Sequence, residues 1–152
     1  MGKSELVFAI LTSITAIASA VAAVFSVRTA KSAIVEQVFS GIRTQLIEAD
    51  RVKNEKAVAY KIAQNKKTIK NEVLEIHRLE FESALQQLIN VYDDACGTYL
   101  YGKTNKKRFR LLFGTEIKQM VENPAHSEFY SGEEANNYKK TLKVYGIIKK
   151  KK

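Results

Sequence analysis

The stretch LVFAILTSITAIASAVAAVFSV, residues 6–27, decides the fold because it holds twenty-two residues without a charge in a chain that is 27% charged. A helix of this length spans roughly 33 Å at about 1.5 Å per residue, close to the ~30 Å hydrocarbon thickness of a bilayer. Its hydroxyl groups can bond back to carbonyls of their own helix and so cost little in lipid. The sequence therefore predicts a membrane anchor over residues 1–27.

Two other interpretations of this stretch stay open. Ala18-Ser19-Ala20 has the small-x-small form of a signal-peptide cleavage site, and a soluble bundle would bury such a segment as a core helix. Against cleavage, Lys3 is opposed by Glu5 before the apolar run, and the run continues seven residues past Ala20 to Val27. We therefore favour an uncleaved single span.

The flanks of the span predict its orientation. Lys3 lies before it, and the basic residues after it are Arg28, Lys31, Arg43, Arg51, Lys53 and Lys56. Because excess Lys and Arg stay on the cytoplasmic side, we expect the N-terminus outside and the C-terminal body in the cytoplasm. The lone Cys96 agrees with a reducing compartment, since it cannot form an internal disulfide.

Two patterns suggest association between chains. Small residues recur along the span and would let two helices approach closely; they are Thr12, Ala16, Ser19, Ala20 and Ala23. After Arg28 a narrow apolar seam of coiled-coil type follows, formed by Val35, Phe39, Ile42 and Leu46. The seam predicts a helical stalk over residues 28–70, and we expect a homo-oligomer.

The rest of the chain predicts a small antiparallel helical bundle over residues 71–152. A turn at Asn65-Lys66-Lys67 would fold the chain back, although an unbroken helix from Arg28 to Leu100 is the alternative. Apolar stripes predict a second helix ending near Tyr101-Gly102 and a third that is capped by Asn105 or Thr104 and ends at Asn123-Pro124.

The stripe of the second helix consists of Leu74, Phe81, Leu85, Leu88, Tyr92, Ala95 and Tyr99, and its opposite, acidic face of Glu72, Glu75, Glu80, Glu82, Asp93 and Asp94. The apolar face of the third helix consists of Phe109, Leu112, Phe113, Ile117, Met120 and Val121. A last helix is expected from about Gly132, with Glu133 and Glu134 in its first turn and lysines in its final turns, as the helix dipole prefers. The predicted fold class is all-α.

Charge is distributed in blocks, with a net charge of +9 for the whole chain. A solvated helix face is the simplest interpretation of such blocks. The cluster that stands out as a candidate basic surface consists of Lys103, Lys106, Lys107, Arg108 and Arg110. For a tethered protein, anionic lipid of the inner leaflet is the nearest partner, and nucleic acid is the less favoured one.

Residues that could carry chemistry do not form a recognisable catalytic or metal motif. His77 and Glu80 supply two ligands without a second pair, and Cys96 lies on an apolar stripe without an activating base. Asp93 and Asp94 project about 100° apart on a helix and do not face each other. We therefore expect no enzyme activity, no cofactor and no metal site.

A resemblance appears in LINVYDDACGTYLYGKTNKKRFRLLFGTEIKQMVENP, residues 88–124. This stretch resembles poorly characterised small bacterial proteins that combine an N-terminal membrane helix with a cytoplasmic helical region. The residues that carry the resemblance are Asn90, Tyr92, Asp93, Ala95, Cys96, Tyr99, Leu100, Gly102, Lys103, Lys107, Arg108, Phe109, Ile117, Val121 and Glu122. It implies a location in the bacterial inner membrane and an association with antiphage defence genes, and it implies no catalytic residue.

Together these features predict a single-pass membrane-anchored interaction or sensing module with a cytoplasmic protein partner. The alternative is a membrane-perturbing effector that acts through oligomerised spans. A conducting span usually needs a polar stripe, and Thr12, Thr15, Ser19 and Ser26 form a loose one.

Overall fold

Long stretches without Gly or Pro make this chain helical, and the computed structural model describes residues 2–66 and 68–150, without the side chains of residues 3–11, 13 and 14. Five α-helices follow one another, with no strand among the described residues: α1 (Lys3–Asn65), α2 (Asn71–Leu100), α3 (Lys106–Glu122), α4 (Ser127–Tyr130) and α5 (Lys139–Lys149). Two short 3-10 turns lie at Pro124–His126 and Glu134–Asn136. The predicted all-α fold class is confirmed.

The chain divides into two compact units, which we call the N-terminal unit (Met1–Gln37) and the helical unit (Val38–Lys152). The division falls inside the predicted stalk rather than at residue 70. The division falls there because Phe39, Ile42 and Leu46, in the second half of α1, are buried in the same apolar core as residues of α2 and α3.

The connection between α1 and α2 is a turn, so α1 does not continue into α2. The helix ends at Asn65 and α2 begins at Asn71, while Lys67 of the predicted turn lies outside the described residues. The chain folds back, because Lys56 Nζ lies 3.1 Å from a carboxylate oxygen of Glu80 and the Tyr60 ring stacks on Phe81.

The core of the helical unit contains the apolar stripe predicted for α2. Leu85, Leu88, Tyr92, Ala95 and Tyr99 are all buried. Leu74 and Phe81, at the start of the stripe, are half-buried. The predicted stripe is therefore confirmed as the buried face of α2 over the part that other helices cover.

Helix α3 is capped by Asn105, one of the two candidates in the sequence, and ends before Pro124 as predicted. Asn105 Oδ1 accepts a hydrogen bond from the Arg108 backbone N–H at 3.0 Å, which satisfies a donor that the first helical turn leaves unpaired. The preceding turn passes through Gly102 with φ +69°, a conformation that favours glycine. Asn123 caps the far end before Pro124.

Helix α5 corrects the prediction for the last helix, which does not begin near Gly132. Gly132 has φ +63° and Ser131 is extended, so neither continues a helix. The regular helix starts only at Lys139, and the residues between Pro124 and Tyr138 form short turns and α4 instead.

Helices α2, α3 and α5 pack together in the helical unit. Tyr92 and Glu116 make contact, as do Tyr99 and Phe109, so α2 and α3 are antiparallel. Helix α5 packs against both of them. It is antiparallel to α3, because Tyr145 donates to Glu122 and the Ile148 side chain approaches Gly114. Its first turn contacts α2, where Asp93 accepts from Thr141.

Candidate membrane-contact and partner-binding surfaces

Among the described residues, one helix is long and apolar enough to cross a membrane, judged by length and composition. From Thr15 to Val27 the apolar side chains of this helix are exposed, including Ile17 at 66%, Phe25 at 63% and Val27 at 68%. The core-helix interpretation requires these side chains to be buried, whereas those between residues 15 and 27 are exposed. An exposed apolar stripe of this size needs a lipid or protein cover.

Two serine hydroxyls in the apolar stretch of this helix are satisfied by its own backbone. Ser19 Oγ donates to the Thr15 carbonyl and Ser26 Oγ donates to the Ala22 carbonyl, each at 2.9 Å. Such bonds leave no donor that demands water and remove much of the cost of placing serine in lipid. The arrangement suits a lipid-facing helix.

The predicted packing residues of the span are all on its surface. Thr12, Ala16, Ser19, Ala20 and Ala23 are exposed. Their placement keeps them accessible to a second helix, and the prediction that they pair with one stays a prediction.

The predicted stalk seam has a different environment. Phe39, Ile42 and Leu46 are 3%, 7% and 5% exposed and pack within the core of the helical unit, while Val35 is half-buried. The Phe39 ring centre lies 5.7 Å from that of Phe113. These three side chains already have partners in their own chain, so they cannot also form a seam with another stalk while the core is intact.

The candidate basic surface is only partly a solvated face. Lys103, Lys106 and Lys107 are exposed and Arg110 is half-buried. The Arg108 guanidinium lies 4.4 Å from the Phe39 ring centre, and Lys106 Nζ lies 5.6 Å from that of Tyr99. Arg108 therefore covers the core aromatics with its planar group, whereas Lys103 and Lys107 project their charge into solvent.

Helix α5 adds residues to this surface that the sequence did not place there. Ile148 joins Lys107, Arg110 and Leu111 around a depression of about 420 Å³. Leu111 is 81% exposed. The sequence had assigned it neither to the buried face of α3 nor to the candidate basic surface. The available signal was its position beside Arg110, off the stripe formed by Phe109, Phe113 and Ile117.

A second surface is a groove of about 510 Å³ between the second half of α1 and helix α3. Leu46, Leu85, Leu88, Phe113 and Met120 form its apolar floor. Its rim carries charges of both signs, from Arg43, Asp50, Lys53 and Glu116.

Two apolar residues at the edge of this groove are open to solvent. Ile47 is 60% exposed and Leu112 is 43% exposed. Leu112 was expected on the buried face of α3, and its exposure corrects that prediction.

Inside the groove wall the Tyr92 hydroxyl donates to Glu116 at 2.9 Å. Burial and the negative charge of Glu116 hold the pKa of Tyr92 well above its usual range. Tyr92 therefore serves as a neutral hydrogen-bond donor at physiological pH.

Asp93 is the clearest error of the sequence interpretation. It was expected on the exposed acidic face of α2 but is only 5% exposed. Its Oδ1 accepts from the Thr141 backbone N–H at 2.9 Å and from Thr141 Oγ1 at 3.1 Å, and its Oδ2 lies 3.1 Å from Lys140 Nζ. The charge is buried because α5 supplies all three partners, which no pattern within α2 reveals.

The residues considered for chemistry are engaged in structural contacts. Glu80 accepts from Lys56, which lowers the pKa of its carboxyl, and lies 3.6 Å from His77 Nδ1. Cys96 is completely buried, and burial raises the pKa of its thiol to about 12. A thiol of that pKa is a poor nucleophile near neutral pH.

Comparison with protein-family models, curated proteins and solved structures finds no match for this chain.

Proposed function

We propose that this chain is a single-pass membrane-anchored interaction module that holds a basic helical unit at the cytoplasmic face of a bacterial inner membrane. The observation that carries the proposal is the exposed apolar helix, whose serines bond to their own backbone, in a chain that also has a separately packed helical unit. The basic residues after Val27 support a cytoplasmic position for that unit.

Membrane insertion is tested by alkaline extraction of membranes from cells that express the full chain. We expect the full chain to stay in the pellet and a variant without residues 6–27 to become soluble. A full chain released by alkali would overturn the anchor. Orientation is tested with two reporters fused after Lys152, one that is active only in the cytoplasm and one that is active only in the periplasm. We expect activity from the cytoplasmic reporter alone, and activity of the periplasmic reporter would contradict the proposed topology.

The groove is the surface that we assign to a protein partner. It runs along α1 from Arg43 to Lys53, about 15 Å or nearly three helical turns. An apolar floor of that length with a rim of mixed charge fits one amphipathic helix of a cytoplasmic protein. Ile47 and Leu112 are the exposed apolar residues that such a helix would cover.

Partner binding at the groove is tested with a photo-crosslinking amino acid at position 112 in the full chain. We expect one protein adduct, which is lost when Ile47→Glu is added. The same crosslinker at Val58, which is 57% exposed outside the groove, is the matched control. Equal adducts from positions 112 and 58, or none from position 112, would reject the groove as the contact.

The membrane-perturbing effector remains the second candidate, with less support. Its polar stripe includes Ser19 and Ser26, whose hydroxyl hydrogens are directed to their own helix rather than to a water-filled lumen. We expect overexpression to leave a membrane-potential dye unchanged. Rapid depolarisation that depends on residues 6–27 would reverse the ranking. Association with defence genes rests on the resemblance of residues 88–124, and neighbouring genes would test it.

A further inference from the structure

The surface around Leu111 combines unneutralised positive charge with exposed apolar side chains. Between Tyr101 and Phe113 the chain has five basic residues and no acid. Several basic residues elsewhere in the helical unit face carboxylates, as Lys56 faces Glu80 and Lys140 faces Asp93. Lys103, Lys106, Lys107 and Arg110 form no ion pair with any residue in the described part of the chain.

The placement of these charges is unfavourable for α3 itself. The first turn of a helix prefers acidic residues, because the helix dipole is positive there, yet the first turn of α3 contains none. Lys106, Lys107 and Arg108 occupy it instead. The dipole therefore adds to the positive potential of this surface.

The apolar part of the surface is the most solvent-exposed in the described chain. Leu111 is 81% exposed and Tyr101, in the turn before α3, is 73% exposed, the highest values among the large apolar side chains that the structure describes. Ile148 of α5 lines the same depression as Leu111, and Lys149 and Lys150 follow it in sequence. Leu111 and Ile148 beside Lys107 and Arg110 match a bilayer interface, where apolar groups enter the headgroup layer and cations meet lipid phosphates.

We propose that Lys103, Lys107, Arg110, Leu111 and Ile148 form a docking surface for the anionic headgroup layer of a lipid bilayer. Nucleic acid is disfavoured because Tyr99 and Phe109 are buried at 4% and 0% exposure, which leaves Tyr101 as the exposed aromatic near the cluster. Single-stranded nucleic acid usually binds on several exposed rings.

The proposed anchor brings such a bilayer within reach of this surface, and in this respect the inference rests on the proposed function. Arg108 contacts Phe39, and Phe39 lies twelve positions after Val27, the end of the apolar stretch. A chain of that length spans no more than about 43 Å even when fully extended. A tether this short raises the effective concentration of lipid at the surface, so weak individual contacts are sufficient.

The test uses the full chain in bilayer nanodiscs, with Leu111→Cys labelled by a polarity-sensitive fluorophore. Native Cys96 does not compete for the label because it is buried and its thiol pKa is raised to about 12. We expect a blue shift and protection from iodide quenching in discs that contain phosphatidylglycerol, and much less of both in phosphatidylcholine discs. A label at Ile62, which lies 23 residues beyond Phe39 on α1 and is 51% exposed, should not respond.

Charge variants identify the residues responsible. Each basic residue near an anionic surface contributes roughly fivefold in affinity, so Lys103→Gln, Lys107→Gln and Arg110→Gln together should weaken docking about a hundredfold and abolish the shift. The matched control is Lys61→Gln, Lys66→Gln and Lys70→Gln, which removes the same charge from exposed positions at the other end of α1 and beyond it. This control should keep the shift.

Several outcomes would overturn the proposal. They are equal shifts in the two kinds of disc, no shift in either, loss of the shift in both triple variants, and a label that responds to single-stranded DNA but not to phosphatidylglycerol. Alkaline extraction separates this failure from failure of the anchor. A chain that resists extraction but shows no shift keeps its anchor and lacks the docking surface, whereas an extractable chain whose label shifts on added vesicles shows the reverse.

Discussion

Asp93 is the residue that best shows how the helical unit uses a charge in its core. The carboxylate is 5% exposed and holds the first turn of α5 through Thr141, whose side chain is completely buried. A buried charge is tolerated only where it is fully paired, and here two hydrogen bonds and the Lys140 ammonium supply the pairing.

Replacing Asp93 with Ala should destabilise the helical unit by about 3 kcal/mol, because the buried Thr141 donors lose their acceptor. Denaturant unfolding of the full chain in detergent, followed by circular dichroism, measures the change. Asp94→Ala is the matched control, since Asp94 also pairs with Lys140 but its side chain is 81% exposed, and it should change the unfolding free energy little. Similar losses in the two variants would show that Asp93 has no special role.

Cys96 gives a prediction for high pH. Burial raises the pKa of its thiol from the ordinary 9.0 to about 12, so the folded state keeps a proton that the unfolded state releases. This contribution to stability is fully present below pH 9 and is lost between about pH 9 and 12, at no more than about 1.4 kcal/mol per pH unit.

The measurement compares unfolding free energies of the wild type and Cys96→Ala across that range. The wild type should lose stability more steeply, and native Cys96 should resist alkylation at pH 8 until denaturant is added. Parallel pH profiles for the two proteins, or rapid alkylation of the native thiol, would contradict the buried environment.

At the scale of elements, the second half of α1 serves as a core helix of its own chain. The three-four spacing of Phe39, Ile42 and Leu46 correctly predicted one apolar face. The same spacing suits a seam between chains or a contact within one chain. Periodicity does not name the partner helix. The structure resolves this ambiguity by placing Phe113 and Arg108 of α3 against Phe39.

Phe39→Ala should therefore lower the unfolding free energy by about 3 to 4 kcal/mol, because it empties a well-packed site that is only 3% exposed. Ile47→Ala, at a position 60% exposed on the same helix, is the control and should have a small effect. The measurement is repeated over a hundredfold range of protein concentration. A loss that appears only at high concentration would indicate a seam between chains instead.

The start of the last helix, α5, was predicted wrongly from the sequence. Glu133, Glu134 and the lysines that follow suggested a helix from Gly132, since acids at the start and bases at the end suit the helix dipole. The regular helix begins only at Lys139, because Gly132 is in the left-handed region and Glu134–Asn136 forms a 3-10 turn. There the Asp93 carboxylate accepts from Thr141, so a residue 48 positions away helps to fix the first turn of α5.

For the whole molecule, the division into two units has a direct consequence for folding. Every buried residue in the main apolar cluster lies between Phe39 and Val144. The hydrophobic contribution to stability should therefore reside almost entirely in the helical unit.

A fragment of residues 38–152 should thus fold without the apolar stretch and unfold cooperatively in thermal denaturation followed by circular dichroism. A fragment that starts at Thr44 lacks Phe39 and Ile42, which are 3% and 7% exposed, and should melt at a temperature many degrees lower. If both fragments melt alike, α1 before Thr44 is not part of the core. If neither is cooperative, the helical unit depends on residues before Val38.

The sequence by itself determined the properties that local pattern controls: the all-α class, the uncharged stretch at residues 6–27, a cap at Thr104 or Asn105 and the apolar stripe of α2. Hydropathy, helix periodicity and capping act over a few residues, so they are readable without a fold. Only the tertiary structure decided that Phe39, Ile42 and Leu46 pack within one chain, that Asp93 is buried against α5, and that Ile148 joins Leu111 beside Lys107 and Arg110. These contacts join residues that are distant in sequence, and their free energy depends on which helix faces meet, which no local pattern specifies.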